Sequence, residues 1–345
     1  MLGQGLGIRL LARARAALQD LMRELGAMPH TPSLSQLQHP EFAVVNGELV
    51  AYDDVKVHIS AEALTRALSV FEGMKGYWDL DSQEFAIRSP RQHYDRLRRS
   101  ATVLHIPVDF SYDEFRDSCL DLARALLRVD RDMWFRTTMY VVEGHWGEGT
   151  RADLVVTGFH QTKDPIPPMS LTVSSWRRSG DAQLPYRVKA SANYVVARQA
   201  RIEASERGFD DAILLNDAGR VAEATGSCVV ALRDGVVVTP PPYEGALESI
   251  TLDVVERICH RDGLAFERRP LDRTELLTSD EAAIAGTISE LTPISRIDTV
   301  ELRGDGVLST LRDRYLDAMR RVEPLADLDF EVVDVGELDK AGRTA

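Results

Sequence analysis

Lysine is the scarce residue of this chain. Among 345 residues with 41 lysines and arginines, only Lys56, Lys75, Lys163, Lys189 and Lys340 are lysine. A chain that uses arginine for its ordinary surface cations leaves a lysine in a small-residue setting in need of another explanation. Arginine cannot replace an amine that must lose its proton and attack a carbonyl, because its guanidinium stays charged. Cysteine is scarce too: Cys119, Cys228 and Cys259 are too few and too scattered for a disulfide framework or a zinc site. With no secretory hydrophobic segment in evidence, they read as reduced thiols of a cytosolic protein. Neither phosphate-binding fingerprint occurs: no G-x-G-x-x-G opens a helix, and no G-x-x-x-x-G-K-[ST] is present. Internal repeats and low-complexity segments are absent as well. The net charge of −13 opposes binding to nucleic acid or to an anionic bilayer. The remainder, 44% hydrophobic and 28% charged, is that of an ordinary soluble globular protein.

Residues 1–40 read as an N-terminal helix and a proline-punctuated linker. Leu10, Leu11, Leu18, Met22 and Leu25 lie near one helical face. Arg9, Arg13 and Arg15 give this segment a faint transit-peptide look, which Asp20 and Glu24 oppose, so it is taken as an extra packing helix or an upstream start. A smaller α/β domain is expected over 41–162. It opens with a hairpin around Asn46–Gly47, since Asn-Gly supplies the positive φ angles of a tight turn. A strand follows near 69–78, then a helix capped by Ser89–Pro90 through about Leu104. A second helix is expected over 113–129, and strands over 133–142 and 154–159. The prolines of 163–170 mark the interdomain linker, 171–325 a larger domain, and 326–345 a tail. In the larger domain, strands 171–176 and 282–285 and hairpins 212–223 and 228–239 alternate with helices over 193–207 and 251–262. Helices interspersed with antiparallel hairpins predict an α+β fold rather than a doubly wound sheet.

The order of features after Lys189 gives that lysine its meaning. By itself it is as well read as a loop lysine. Glu223 ends a hairpin strand 34 residues on, and Leu247–Glu248–Ser249–Ile250–Thr251 opens a helix whose free amides suit a phosphate. Gly286–Thr287 ends a strand with another small residue and a hydroxyl, and Arg96 lies upstream on a helix with Arg91, Arg98 and Arg99. A lysine, a carboxylate, a helix start and an arginine are the parts that pyridoxal phosphate requires.

From about residue 42 to 325 the chain resembles the fold-type IV pyridoxal-phosphate enzymes, and among them the branched-chain amino-acid aminotransferases. The resemblance rests on Ser69–Val70–Phe71–Glu72–Gly73–Met74–Lys75, on Asp272–Arg273–Thr274–Glu275–Leu276 and on Gly286–Thr287–Ile288–Ser289–Glu290–Leu291–Thr292–Pro293, with the features around Lys189 and Glu223. It implies a two-domain homodimer in the cytoplasm that moves an amino group between a branched-chain-like amino acid and a 2-oxo acid such as 2-oxoglutarate. Lys189 would form the internal aldimine with pyridoxal 5'-phosphate, and Glu223 would keep the pyridine nitrogen protonated. Tyr194 would bond the phenolic oxygen, Arg96 would clamp the phosphate as a bidentate donor, and Leu247 would pack on the ring. The Ile250 amide, Thr251 and Thr287 would complete the phosphate cup. Phe71 and Arg136 would line the substrate pocket, with the amides of Ile288 and Ser289 receiving the α-carboxylate.

Several positions depart from the branched-chain pattern. Arg66 stands where a tyrosine is usual, Ile288 is bulky where the family is small, and Ser227–Cys228 replaces Glu-Asn or Ser-Asn. If Arg66 is a buried cation of the pocket wall, it pairs with an acid such as Glu72 or awaits an anionic group on the substrate. A D-amino-acid or (R)-amine transaminase, or an aminodeoxychorismate-type lyase, remains open on the same scaffold. A non-catalytic phosphate- or vitamer-binding protein is opposed by the retention of Lys189, Glu223 and Arg96 together.

Overall fold

In the computed structural model, which describes residues 39–79, 82–323 and 325–333, Asn46 and Gly47 take φ values of 48° and 85°. They join β1 (Phe42–Val45) to β2 (Glu48–Ala51) in the antiparallel hairpin that Asn-Gly favours. The N-terminal helix and nearly all of its linker lie outside the described residues. A short helix α1 (Glu62–Thr65) leads into β3 (Ser69–Asp79), which pairs with β4 (Glu84–Arg88) and β5 (Asp132–His145). Helices α2 (Pro90–Val103) and α3 (Tyr112–Leu126) lie between β4 and β5 in the chain. Ser89 does not cap α2 with its side chain. It takes a left-handed φ of 52°, and Asp329 accepts from the Arg91 amide instead. Helix α3 opens on a capping box between Ser111 and Glu114.

Strand β5 and β6 (Glu148–Gln161) form one long hairpin turning at Trp146 and Gly147. The expected strands over 133–142 and 154–159 are its apolar middle. The polar residues between them remain paired because ladder bonds do not depend on side-chain polarity. β16 (Phe330–Val333), within the expected tail, adds to β4. The sheet then runs β16-β4-β3-β5-β6-β1-β2, antiparallel throughout.

The two faces of β3 do different jobs. Side chains alternate along a strand, and the register pairs Gly73 with Arg136, Lys75 with Trp134, and Tyr77 with Ala86. One face therefore carries Phe71, Gly73, Lys75, Tyr77, Arg88, Trp134 and Arg136. The other buries Val70, Met74, Trp78, Phe85, Ile87 and Phe135 with Leu97, Ala101, Phe115 and Leu122 of the two helices.

The second sheet has nine strands in the order β12-β11-β10-β13-β14-β7-β8-β9, with β15 (Val300–Glu301) on β14. Their ranges are β7 (Met169–Arg177), β8 (Asp211–Leu215), β9 (Val221–Ala224), β10 (Cys228–Arg233), β11 (Val236–Thr239), β12 (Ala265–Arg268), β13 (Glu281–Gly286) and β14 (Glu290–Ile297). Parallel neighbours need a crossover. Helix α4 (Tyr194–Glu206) supplies it between β7 and β8, and α5 (Ile250–Arg261) between β11 and β12. A short α6 (Arg273–Leu277) precedes β13, and α7 (Val307–Met319) packs with α5 on one face of the sheet.

Helix α7 has no side-chain cap of its own. Glu281 on β13 accepts from the Val307 and Leu308 amides, both at 2.8 Å. A Cβ at Gly306 would fall 1.9 Å from the Glu281 carboxylate, so any side chain there would have to displace the group that caps the helix. Antiparallel hairpins mixed with crossover helices make the fold α+β, as the segment order predicts.

Candidate active site

Lys189 stands in the loop between β7 and α4, and the first sheet grips its backbone. The Phe71 amide donates to the Lys189 carbonyl at 3.0 Å, and the Lys189 amide donates to Ser100 Oγ of α2 at 3.1 Å. Its Nζ donates to Tyr194 Oη at 2.8 Å and lies 5.0 Å from the Phe71 ring centroid. No carboxylate among the described residues pairs with this amine.

Glu223 on β9 is held from two sides. The Leu247 amide donates to one oxygen at 2.9 Å, and Arg178 Nε lies 2.9 Å from the other. Arg178 also donates to the carbonyls of Gly245 and Asn193, and Asn193 Nδ2 donates to the carbonyls of Pro185 and Val188. A continuous polar chain thus runs from Glu223 to the residue before Lys189. Sequence reading missed Arg178, because its one local sign is a cation just past a strand end.

The Cys228 thiol reports the same neighbourhood. Burial and then Glu223 push it up, Arg96 and Lys189 pull it down, and the result is about 12. This thiol is a packing group rather than a nucleophile.

Glu72 lies on the face of β3 opposite Phe71, fully buried. Arg96 Nε and Nη2 donate to its two oxygens at 2.7 and 2.6 Å, and His93 Nδ1 lies 2.7 Å away. Burial alone would raise this carboxyl, but Arg96 and His93 reverse that and hold it at about 2. The fork of Arg96 is therefore occupied by Glu72, and Nη1 donates to the Glu248 carbonyl. The bidentate edge expected to clamp a phosphate faces a protein carboxylate instead.

Ile250 and Thr251 open α5, whose Ser249 cap accepts from the Leu252 amide at 3.2 Å. They share one cleft with Thr287, Lys75, Tyr77 and Arg88. Ile288 and Ser289 follow Thr287, and Ser289 Oγ is 2.7 Å from Ser227 Oγ. A Cβ at Gly286 would lie 2.8 Å from Ser227 Oγ, so this strand end accepts only glycine without a shift.

The Arg136 guanidinium lies 4.0 Å from the Phe71 ring centroid, and its one side-chain hydrogen-bond partner among the described residues is Thr138 Oγ1 at 3.4 Å. Arg66 is neither buried nor paired with Glu72. It is 36% exposed, bonds Glu62 at 3.0 Å one helical turn back, and lies 4.7 Å from the Trp146 ring centroid.

An amine beside a phenol, a carboxylate fixed by a guanidinium and an amide, and a helix start facing a cationic cleft fit pyridoxal phosphate group by group. The comparisons with known proteins agree. Residues 69–297 match the model of the amino-transferase class IV family. A branched-chain-amino-acid aminotransferase of Salmonella typhimurium is 30% identical over 278 residues, which is 76% of this chain and 86% of that protein. The branched-chain aminotransferase of Thermoproteus uzoniensis, solved with norvaline, superposes with a TM-score of 0.79 at 28% identity over 84% of this chain and 99% of that one. The Thermobaculum terrenum branched-chain amino acid aminotransferase in its pyridoxal-phosphate form gives 0.78 at 31% identity over 87% and 99%. The chain belongs to the class IV aminotransferases, which are pyridoxal-phosphate enzymes.

Proposed function

We propose that this aminotransferase moves the amino group of a branched-chain-like amino acid to a 2-oxo acid such as 2-oxoglutarate, with Lys189 as the catalytic lysine. The Lys189 amine carries this reading: it is held 2.8 Å from a phenol, against an aromatic ring and away from any described acid. Such an amine can act as nucleophile and then carry a proton to and from a substrate carbon. Bound pyridoxal phosphate supplies the electron sink that makes the α-proton of an amino acid removable. Glu223, Tyr194 and Leu247 would hold its ring, and Ile250, Thr251 and Thr287 its phosphate. Arg96, whose fork bonds Glu72, retains Nη hydrogens on the side of Glu248.

Arg136 supports an acid-bearing substrate. It is half-buried against Phe71 with no acid partner among the described residues, so a substrate carboxylate would complete its hydrogen bonding. The amides of Ile288 and Ser289 would receive the other carboxylate. Arg66, already paired with Glu62, is assigned to the support of the 143–149 hairpin rather than to the pocket. The enzyme is taken to work as a homodimer in the cytoplasm. Its three buried free thiols fit a reducing compartment, and no described helix is long and apolar enough to cross a membrane.

A donor panel tests the assignment. Leucine, isoleucine, valine, their D-enantiomers and an (R)-amine are each offered with 2-oxoglutarate or pyruvate. The L-branched donors with 2-oxoglutarate are expected to give the highest kcat/KM, and Arg136→Met to raise the KM for 2-oxoglutarate by about tenfold or more. A D-amino acid or an amine as best donor would move the enzyme to the alternative branch of the same fold.

A further inference from the structure

The cleft containing Ile250, Thr251 and Thr287 is walled on its far side by the working face of the first sheet. Two of the cations near it are neutralised by protein acids. Lys75 Nζ lies 2.7 Å from Glu290 and 3.9 Å from Asp132, and Arg96 is forked onto Glu72. Arg88 is different. Only 6% exposed, it has no carboxylate partner among the described residues. Its contacts are Ser89 Oγ at 3.4 Å, Met319 Sδ, and the Phe330 ring with its centroid at 5.7 Å.

The alternation of β4 explains how a charge comes to be there. Phe85 and Ile87 enter the helical core, so Ala86 and Arg88 must face the cleft beside Tyr77. Tyr315 closes the same wall beside Tyr77 and Thr251. Burying a guanidinium without a counter-ion is strongly unfavourable, and the fold retains it only if an anion completes the site.

We infer that Arg88 is the counter-cation of the cofactor phosphate, donating to it from the sheet side while the start of α5 donates from the other. This deepens the assignment of the cleft as the phosphate cup, and rests on it. It goes beyond the expectation that Arg96 clamps the phosphate, and it gives a role to a residue that no sequence motif singled out. Arg88 binds and orients; it takes no part in proton transfer.

The test compares binding of pyridoxal 5'-phosphate with binding of pyridoxal, which lacks the phosphate, to the wild type, Arg88→Met and Arg88→Lys freed of cofactor. Arg88→Met is expected to weaken the phosphate ester by about 30-fold, or about 2 kcal/mol, and pyridoxal by less than about twofold. The phosphorus-31 shift of the bound ester should be flat from about pH 6 to 8 in wild type and should titrate in the variant. Equal losses for both ligands would make Arg88 merely structural and overturn the inference, as would no loss for either. If Arg88→Met does not fold, Arg88→Lys carries the test. A point donor is expected to weaken the ester by about fivefold and leave pyridoxal unchanged; unchanged affinity for the ester would again overturn it. A wild type that binds pyridoxal as tightly as its phosphate, with no competition from inorganic phosphate, would instead remove the cup assignment itself.

Discussion

Glu223 can accept from Arg178 and from the Leu247 amide because a carboxylate offers an acceptor on each oxygen. A glutamine offers only one. Glu223→Gln must therefore turn an N–H toward one of two donors, and it removes the negative charge that would hold a proton on the pyridine nitrogen. The cofactor should still bind, since the phosphate and ring contacts remain. The single-turnover half-reaction should slow by about 100-fold or more, close to 3 kcal/mol. Stopped-flow absorbance with leucine measures it, and a rate near wild type would mean that the working carboxylate lies elsewhere. Arg66 is the contrasting residue. Its substitution for tyrosine could be seen in the sequence, but its partner could not, because Glu62 becomes a neighbour only once α1 has formed.

Strand β3 and helix α2 are joined by a buried triad, Glu72, His93 and Arg96, and its titration sets the acid limit of the fold. The Glu72 carboxyl is held at about 2, below its ordinary 4.5, so its contribution is present above 4.5 and is lost as the pH falls through 2. That contribution is on the order of 3 kcal/mol. Burial holds His93 below its ordinary 6.5 against the pull of Glu72. The unfolded chain then takes up a proton that the fold refuses, and stability begins to fall as the pH drops below 6.5. Urea unfolding of the wild type should show both losses. Glu72→Gln should be less stable at neutral pH by about 3 kcal/mol, and the difference should shrink below about pH 4. A difference that stays constant with pH would contradict the triad as the source.

At the scale of the whole molecule, what could be read in advance was local and what could not was tertiary. Asn46–Gly47, the strand near 69–78, and the order of Lys189, Glu223 and the start of α5 depend on residues close in sequence or on a motif carried intact. The addition of β16 to β4, the capping of α7 by Glu281 and the support of Glu223 by Arg178 depend on segments far apart in the chain. No periodicity within either segment announces such a pairing. The same limit explains Arg96. Its helix and its side of the site could be anticipated, but not that Glu72 would occupy its fork. Arg88 escaped notice because a lone arginine at a strand end looks like a surface cation until the sheet around it closes.

That one of five lysines carries the chemistry can be tested without any substrate. The purified holoenzyme is reduced with sodium borohydride, digested and mapped by mass spectrometry. A pyridoxyl mass on the peptide containing Lys189, and its loss together with all turnover in Lys189→Ala, is the predicted result. A label on Lys56, Lys75, Lys163 or Lys340, with Lys189 unmodified, would contradict it.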